Sequence, residues 1–259
     1  MNPELRLEVA QGIATITFDR PKLRNAINLA MWEMMPEIMA TVTRDSSIRA
    51  VVFRGAGERA FASGADISEF ERVRMAPATV QAYNKTVDAA IDAILACPKP
   101  TVAMIYGYCV GGGMGLAMAT DLRFAADTAR FGIPAARLGI IYGLKATRIL
   151  VHLVGPARAK EILFSGRTFD AREAAEMGFA NRVLPAGALL AYTFDFLGKV
   201  TANAPLSIRG AKTIIDRVAS GDLKTDEVRE LILESFGSQD YREGVRAFLE
   251  KRPPRFEGR

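Results

Sequence analysis

Apolar and polar positions alternate with a period of two at the start of the chain. Leu5, Leu7 and Val9 lead to Gln11-Gly12, and Ala14, Ile16 and Phe18 resume the alternation, which predicts a β-hairpin. Pro21 breaks it. Asn28 then offers an N-cap for a helix running to about Thr43, whose Met31, Met34, Met35 and Met39 read as adaptable core packing. Ala50 to Phe53 reads as a buried strand ended by Arg54-Gly55, and residues 58–70 (ERAFASGADISEF) as an irregular loop turning into a helix. A long helix is expected from about Ala78 to Ala96, closed by Pro98 and Pro100. Thr101 to Tyr106 is a strand, Gly111-Gly112-Gly113 a turn, Met114 to Ala119 an apolar helix and Leu122 to Ala125 a further strand. Pro156 can open a helix through Phe164, and Asp170 can cap a helix from Ala171 to Met177 with Gly178 at its end. After a short strand at Val183-Leu184 the character changes. Beyond about Thr193 three helical stretches remain, near 205–219, 225–236 and 240–251, with no strand between them. The pattern is an α/β core, 1–195, followed by an all-helical tail, 196–259.

Composition narrows the class without deciding the chemistry. The 259 residues are 49% hydrophobic and 24% charged, which excludes disorder as the main state. No apolar run approaches the roughly 18 residues that would cross a bilayer. The first residues carry acids and no long apolar stretch, so no signal peptide is expected. Cys97 and Cys109 cannot build a disulfide framework and fit a reducing compartment, so a cytoplasmic protein is expected. Lys plus Arg number 34 against 29 Asp plus Glu, a net charge of +5. The basic residues are scattered, so a local anion site is expected and a nucleic-acid partner is not.

The strand–glycine–helix segment TVAMIYGYCVGGGMGLAMATD carries the most information. Bare glycine lets a ligand approach the backbone, and the first turn of a helix carries free N–H groups with positive dipole character. Such a turn suits an oxyanion or a phosphate, and close helix packing is the plain alternative. A dinucleotide fingerprint is excluded, because Leu116 stands three residues beyond Gly113 and the unit lies mid-chain. No phosphate-binding loop of the G-x-x-x-x-G-K-[ST] type and no G-x-S-x-G nucleophile turn occurs. His152, in ILVHLVG, reads as a packed helical histidine, and neither cysteine has a partner at metal-ligand spacing. The loop 58–70 and the glycine turn 111–113 are therefore the candidate walls of a site.

Taken together, Asp19-Arg20-Pro21 with Asn25-Ala26, AFASGADI, the glycine turn ending in Asp121, FGIPAARLG, FSGRTFDAREAAEMGFANRV and DYREGVRAFLEKRPPRF resemble the crotonase, or enoyl-CoA hydratase/isomerase, superfamily over nearly the whole chain. The resemblance implies a crotonase-like spiral of ββα units with a C-terminal helical region that packs in trimers, often paired into hexamers. It implies a coenzyme A thioester as ligand and no permanently bound cofactor. Two backbone N–H groups polarise the thioester carbonyl in this family, and the matching positions are Ala65 and Gly112. The adenine is expected against backbone near Ser63, Gly64, Asp66 and Ile67, beside Ala26. Lys22 or Arg24 could attract the phosphates, and Phe248 and Lys251 match positions that reach a neighbouring subunit's coenzyme.

One departure decides the expected reaction. Hydratases of the family add water with two glutamates, and the matching positions here hold Gly115 and Ala135. A positioned acid or base contributes about 10²–10⁴-fold, so classical hydration should be crippled. Decarboxylation of a malonyl-type thioester needs no base, because loss of carbon dioxide leaves the enolate directly. The run FGIPAARLGIIYG resembles the corresponding stretch of methylmalonyl-CoA decarboxylases, which points to Tyr142 as a proton donor, with a packing tyrosine as the alternative. Arg137 could bind a substrate carboxylate or form a structural ion pair. Two further readings stand beside this one: a hydratase or isomerase with a relocated carboxylate, Glu69 or Asp66, and an acyl-CoA-binding protein without catalysis. Acyl-chain preference is expected to depend on the stretch 68–85.

Overall fold

The computed structural model describes residues 4–70, 75–222 and 225–259. The hairpin forms as its alternation requires: β1 (Leu5–Ala10) pairs antiparallel with β2 (Ile13–Phe18). Gln11 and Gly12 both take positive φ in its two-residue turn, the conformation that matches the twist of the flanking strands. Asn28 caps α1 (Leu29–Arg44), its Oδ1 accepting from the Met31 N–H at 2.9 Å. The helix buries Met31, Trp32, Met35, Ile38, Met39 and Val42.

Three similar units follow, each a strand, a second short strand and a helix. They are β3 (Ala50–Gly55), β4 (Ala60–Ala62) and α2 (Pro77–Leu95); β5 (Thr101–Ile105), β6 (Tyr108–Val110) and α3 (Gly112–Ala119); β7 (Leu122–Ala126), β8 (Arg130–Gly132) and α4 (Leu144–Ser165). The first strand of each unit joins a six-stranded sheet in the order β1-β2-β3-β5-β7-β10, parallel from β2 onward. The second strand joins a four-stranded sheet, β4-β6-β8-β9. The chain thus winds from one sheet to the other and back through a helix, a spiral of ββα units. β9 (Thr168–Asp170), α5 (Ala171–Glu176) and β10 (Arg182–Leu184) complete the two sheets.

Burial explains the apolar runs. In β3, Val51 and Phe53 enter the main core with α1, while Ala50 and Val52 enter a second core on the opposite face. Both faces are covered there, so the four positions Ala50 to Phe53 are all apolar. The second core is closed by α6 (Ala186–Thr201), which contributes Leu189 and Leu197. That helix and the short strands β4, β6, β8 and β9 are additions to the sequence reading. Non-helical Gly155, at φ 78°, divides α4, and its second helical segment begins at Pro156 as expected. His152 is exposed on that helix rather than packed.

The tail comprises α7 (Pro205–Ser220), α8 (Thr225–Gly237) and α9 (Gln239–Leu249). Polar ties hold it to the core. Lys212 pairs with Asp121 at 2.9 Å, and the same carboxylate accepts from the Thr101 N–H at 2.7 Å. The Arg49 guanidinium donates to the carbonyls of Thr201 and Phe256. Asp240, 4% exposed, accepts from the N–H groups of Glu257 and Gly258 at 2.7 and 2.8 Å, pinning the last residues against α9.

One buried cation organises the end of α3. Arg123, 3% exposed, donates to the carbonyls of Phe179 and Thr120, both at 2.7 Å, with a longer contact to Ala117. Burial lowers its pKa to about 10, so it stays charged at neutral pH beside the negative end of the helix dipole. Arg123→Met would keep much of the volume and strand these carbonyls. A loss of about 2–3 kcal/mol in urea unfolding is expected, and an unchanged midpoint would contradict the role.

Candidate active site

Three segments meet at the end of β4. The Ser63 N–H donates to the Arg24 carbonyl at 3.0 Å, Ile27 N–H to Gly64 at 2.8 Å and Asp66 N–H to Ile27 at 2.9 Å. Ala65 is therefore bracketed by a local β-bridge with Ile27. Side chains lock the junction. Arg20 donates to the Ala26 carbonyl at 2.8 Å, pairs with Asp66 at 2.8 Å and reaches Glu4 at 3.1 Å. Asn25, fully buried in the left-handed region at φ 55°, donates to the carbonyls of Ala60 (2.7 Å) and Ala56 (3.1 Å). The motif Asp19-Arg20-Pro21 with Asn25-Ala26 is thus a clamp on the SGAD loop. The sequence motif marks these residues but does not show that Arg20 ties them; the available signal is an arginine immediately before a strand-breaking proline.

The same loop lies against the first turn of α3. Gly64, at φ +116°, sets the direction in which Ala65 leaves. A side-chain carbon on Gly113 would stand 2.3 Å from the Ala62 carbonyl oxygen, so only glycine lets α3 approach β4 this closely. A carbon placed on Gly112 would lie 3.4 Å from the Ala65 nitrogen, so the two main-chain amides border one small volume. Gly112 is the first residue of α3, and its N–H has no intrahelical partner. Neither this N–H nor that of Ala65 has an acceptor among the described residues. The pair can therefore receive an oxygen that gains negative charge.

The Tyr142 hydroxyl stands 3.5 Å from where a side-chain carbon of Gly115 would begin. It fills the space that a longer residue 115 would need. Burial, with Cys109 adding to it, pushes the phenol pKa well above its usual value, so the hydroxyl keeps its proton at neutral pH. Ala135 is half-buried in the short 3₁₀ turn Pro134–Leu138. Arg137, in the same turn, is exposed, and its Cγ and Nε lie alongside Gly166 at the end of α4.

The two candidate relocated carboxylates are both engaged elsewhere. Glu69 accepts from the Leu29 N–H at 2.7 Å and so caps α1. Asp66 accepts from the Ser68 N–H (3.0 Å) and hydroxyl (2.7 Å) and pairs with Arg20. Burial alone would push the Asp66 carboxyl up, but Ser68 and Arg20 outweigh it and hold the carboxyl below its usual range. Each of these two carboxylates thus has structural partners in the fold.

Among the remaining positions, Lys22 and Arg24 are exposed at the rim, with the Arg24 guanidinium 5.0 Å from the centroid of the Tyr108 ring. Ala26 is buried beside them, and Ile67, 67% exposed, follows Asp66 on the open side of the loop. Phe248 and Lys251 are exposed at the end of α9, on the helical tail. Residues 71–74 of the 68–85 stretch lie outside the described residues. Among the described residues no group of three or more potential metal ligands occurs, and no helix is long and apolar enough to cross a membrane.

Two largely parallel layers wound as ββα units, with a glycine turn at the head of α3, define a crotonase-type scaffold. A sequence model of the enoyl-CoA hydratase/isomerase family matches residues 8–259, and the chain belongs to that family. It is 32% identical over 250 residues to the short-chain-enoyl-CoA hydratase of Clostridium acetobutylicum, covering 95% of this chain and 94% of that protein. It is 32% identical over 257 residues to the crotonyl-CoA hydratase of Syntrophomonas wolfei, covering 96% of each. A crystal structure of an enoyl-CoA hydratase/carnithine racemase from Magnetospirillum magneticum superposes with a TM-score of 0.96 at 36% identity, covering 100% of this chain and 97% of that one. A putative enoyl-CoA hydratase/isomerase family protein from Hyphomonas neptunium also gives 0.96, at 38% identity and coverage of 100% and 99%.

The clamp has a pH signature. The folded-state pKa of Asp66 lies below its unfolded value of about 4, so its stabilisation is complete above that value and is lost as pH falls through the folded one. Asp66→Asn should lower the thermal midpoint at pH 7, and the gap to the parent protein should close on acidification. A gap that stays constant with pH would show that the carboxylate is not the stabilising group.

Proposed function

We propose that this protein processes acyl thioesters of coenzyme A, holding the thioester oxygen between the N–H groups of Ala65 and Gly112 while the substrate becomes an enolate. Each such donor, aimed at the developing negative charge, is worth about 3–4 kcal/mol. The coenzyme enters with the substrate. Arg24 and Lys22 at the rim attract its phosphates, and the adenine rests on the Ser63–Ile67 backbone, where Ile67 offers an exposed apolar surface. Family membership supports the thioester class, and relatives named enoyl-CoA hydratase act within it.

The reaction proposed is decarboxylation of a malonyl-type thioester, not hydration. The observation that carries it is the Tyr142 hydroxyl beside Gly115, with Ala135 at the second position, where carboxylates would be needed to handle water. The C–C bond to the substrate carboxylate breaks, its electron pair becomes the enolate held by the two amides, and carbon dioxide leaves. Tyr142 then gives its phenolic proton to the α-carbon and is reprotonated from solvent. A phenol kept neutral by burial is in the form this step requires. Arg137 lies against Gly166, outside these steps, and is given no part in them.

The test compares malonyl- and methylmalonyl-CoA decarboxylation with crotonyl-CoA hydration. Decarboxylation should dominate, and Tyr142→Phe should lower its kcat about 10²-fold with little change in KM. Fast crotonyl-CoA hydration would overturn the reading in favour of a hydratase, and binding without turnover would favour a non-catalytic protein.

The tail is proposed to assemble the enzyme as a trimer or hexamer. Leu233, Phe236, Phe248 and Leu249 are exposed on α8 and α9, with Ile141, Leu144 and Phe164 exposed around α4. So much uncovered apolar surface is unusual on a monomer. Light scattering should give three or six times the 28.2 kDa chain mass, and a monomer would refute this.

A further inference from the structure

A cavity of about 240 Å³ lies where the core meets the tail. It is closed by the end of α1, the Pro98–Pro100 turn ahead of β5, the end of α6 and the start of α7. None of its lining residues is among those assigned to the thioester site. The wall is apolar at Ile48, Pro98, Leu206 and Ile208, and cationic at Arg49 and Lys99. Both cations are half-buried, and every hydrogen bond their side chains make goes to a carbonyl. Arg49 donates to Thr201 and Phe256, and Lys99 to Val42 and Asp45. A carbonyl satisfies a donor but cancels no charge, and both groups keep N–H donors to spare.

The neighbouring acids are committed elsewhere. The Asp45 carboxylate accepts from the Ser47 N–H at 2.9 Å and its hydroxyl at 2.6 Å. Glu257, the one acid on the cavity wall, pairs with Arg259 at 2.6 Å. Burial lowers the Lys99 pKa, the direction expected of an ammonium short of a counter-ion. Two half-buried positive charges thus border a small apolar space with no carboxylate in contact among the described residues, an arrangement that an anionic guest would complete.

We propose that this cavity binds a small organic carboxylate with an apolar body, its head against Arg49 and Lys99 and its chain against Ile48, Leu206 and Ile208. The space equals roughly eight waters at about 30 Å³ each, so the guest is a short acid and not a long acyl chain. A mineral anion would leave the apolar wall uncovered, and a neutral alcohol would leave the charges uncompensated. The site is independent of the thioester reading.

Sodium hexanoate is a probe of suitable size. Calorimetric titration of the parent protein, with coenzyme A present in excess, should show millimolar hexanoate binding, and hexanol and sulfate should bind at least tenfold more weakly. Hexanoate at ten times its Kd should also raise the thermal midpoint by about 3–6 °C. Leu206→Trp, which fills the cavity, should abolish hexanoate binding. Arg44→Glu, which places a negative charge at the exposed rim, should weaken it about threefold. Absence of hexanoate binding, equal affinity for hexanol or sulfate, or unchanged affinity in either folded variant would overturn the assignment. The ligand comparison needs no variant and Arg44 is exposed, so the site is tested even if Leu206→Trp fails to fold.

Discussion

The closest backbone contact at the site is the constraint on which the rest depends. The first turn of α3 is pressed onto the Ala62 carbonyl at a distance that excludes any side chain at Gly113. That packing brings amides from two sequence-distant loops close together. The polar clamp of Arg20, Asn25 and Asp66 then removes the remaining freedom of the SGAD loop. Because the proposed oxygen site consists of main-chain atoms, the surrounding side chains are free to vary the chemistry without disturbing it.

That division of labour lets this chain share a scaffold with proteins named hydratases while Gly115 and Ala135 stand where the resemblance places the hydratase glutamates. Gly115 opens a space and Tyr142 occupies it from another element. The nearby acids are spent on structure: Glu69 caps a helix and Asp66 anchors a loop. A carboxylate held by an arginine and a hydroxyl is a poor proton carrier near neutrality, because those partners favour only its charged form.

Much of the fold was legible in the sequence. The hairpin, the capped helix at Asn28, the strand Ala50–Phe53 and the three tail helices announce themselves by periodicity and by proline and glycine placement. The strands β4, β6, β8 and β9 did not, since three residues are too few to display a period. The helix Ala186–Thr201 was missed because its apolar residues serve the far face of the sheet and follow a strand too short to mark the boundary. At the site, resemblance supplied Ala65, Gly112 and Tyr142. The position of the tyrosine hydroxyl over Gly115 and the tie made by Arg20 depend on distances between elements, which no local pattern encodes.

The two free thiols add a consequence for handling and measurement. Cys97 and Cys109 are both buried, and burial pushes the Cys109 thiol far above its usual pKa, so neither is a ready nucleophile in the folded protein. Cys109 lies on β6, two residues ahead of the glycine turn. Its labelling by a thiol reagent therefore clocks the opening of the layer that carries the Gly112 amide, giving a built-in probe of how often the site comes apart.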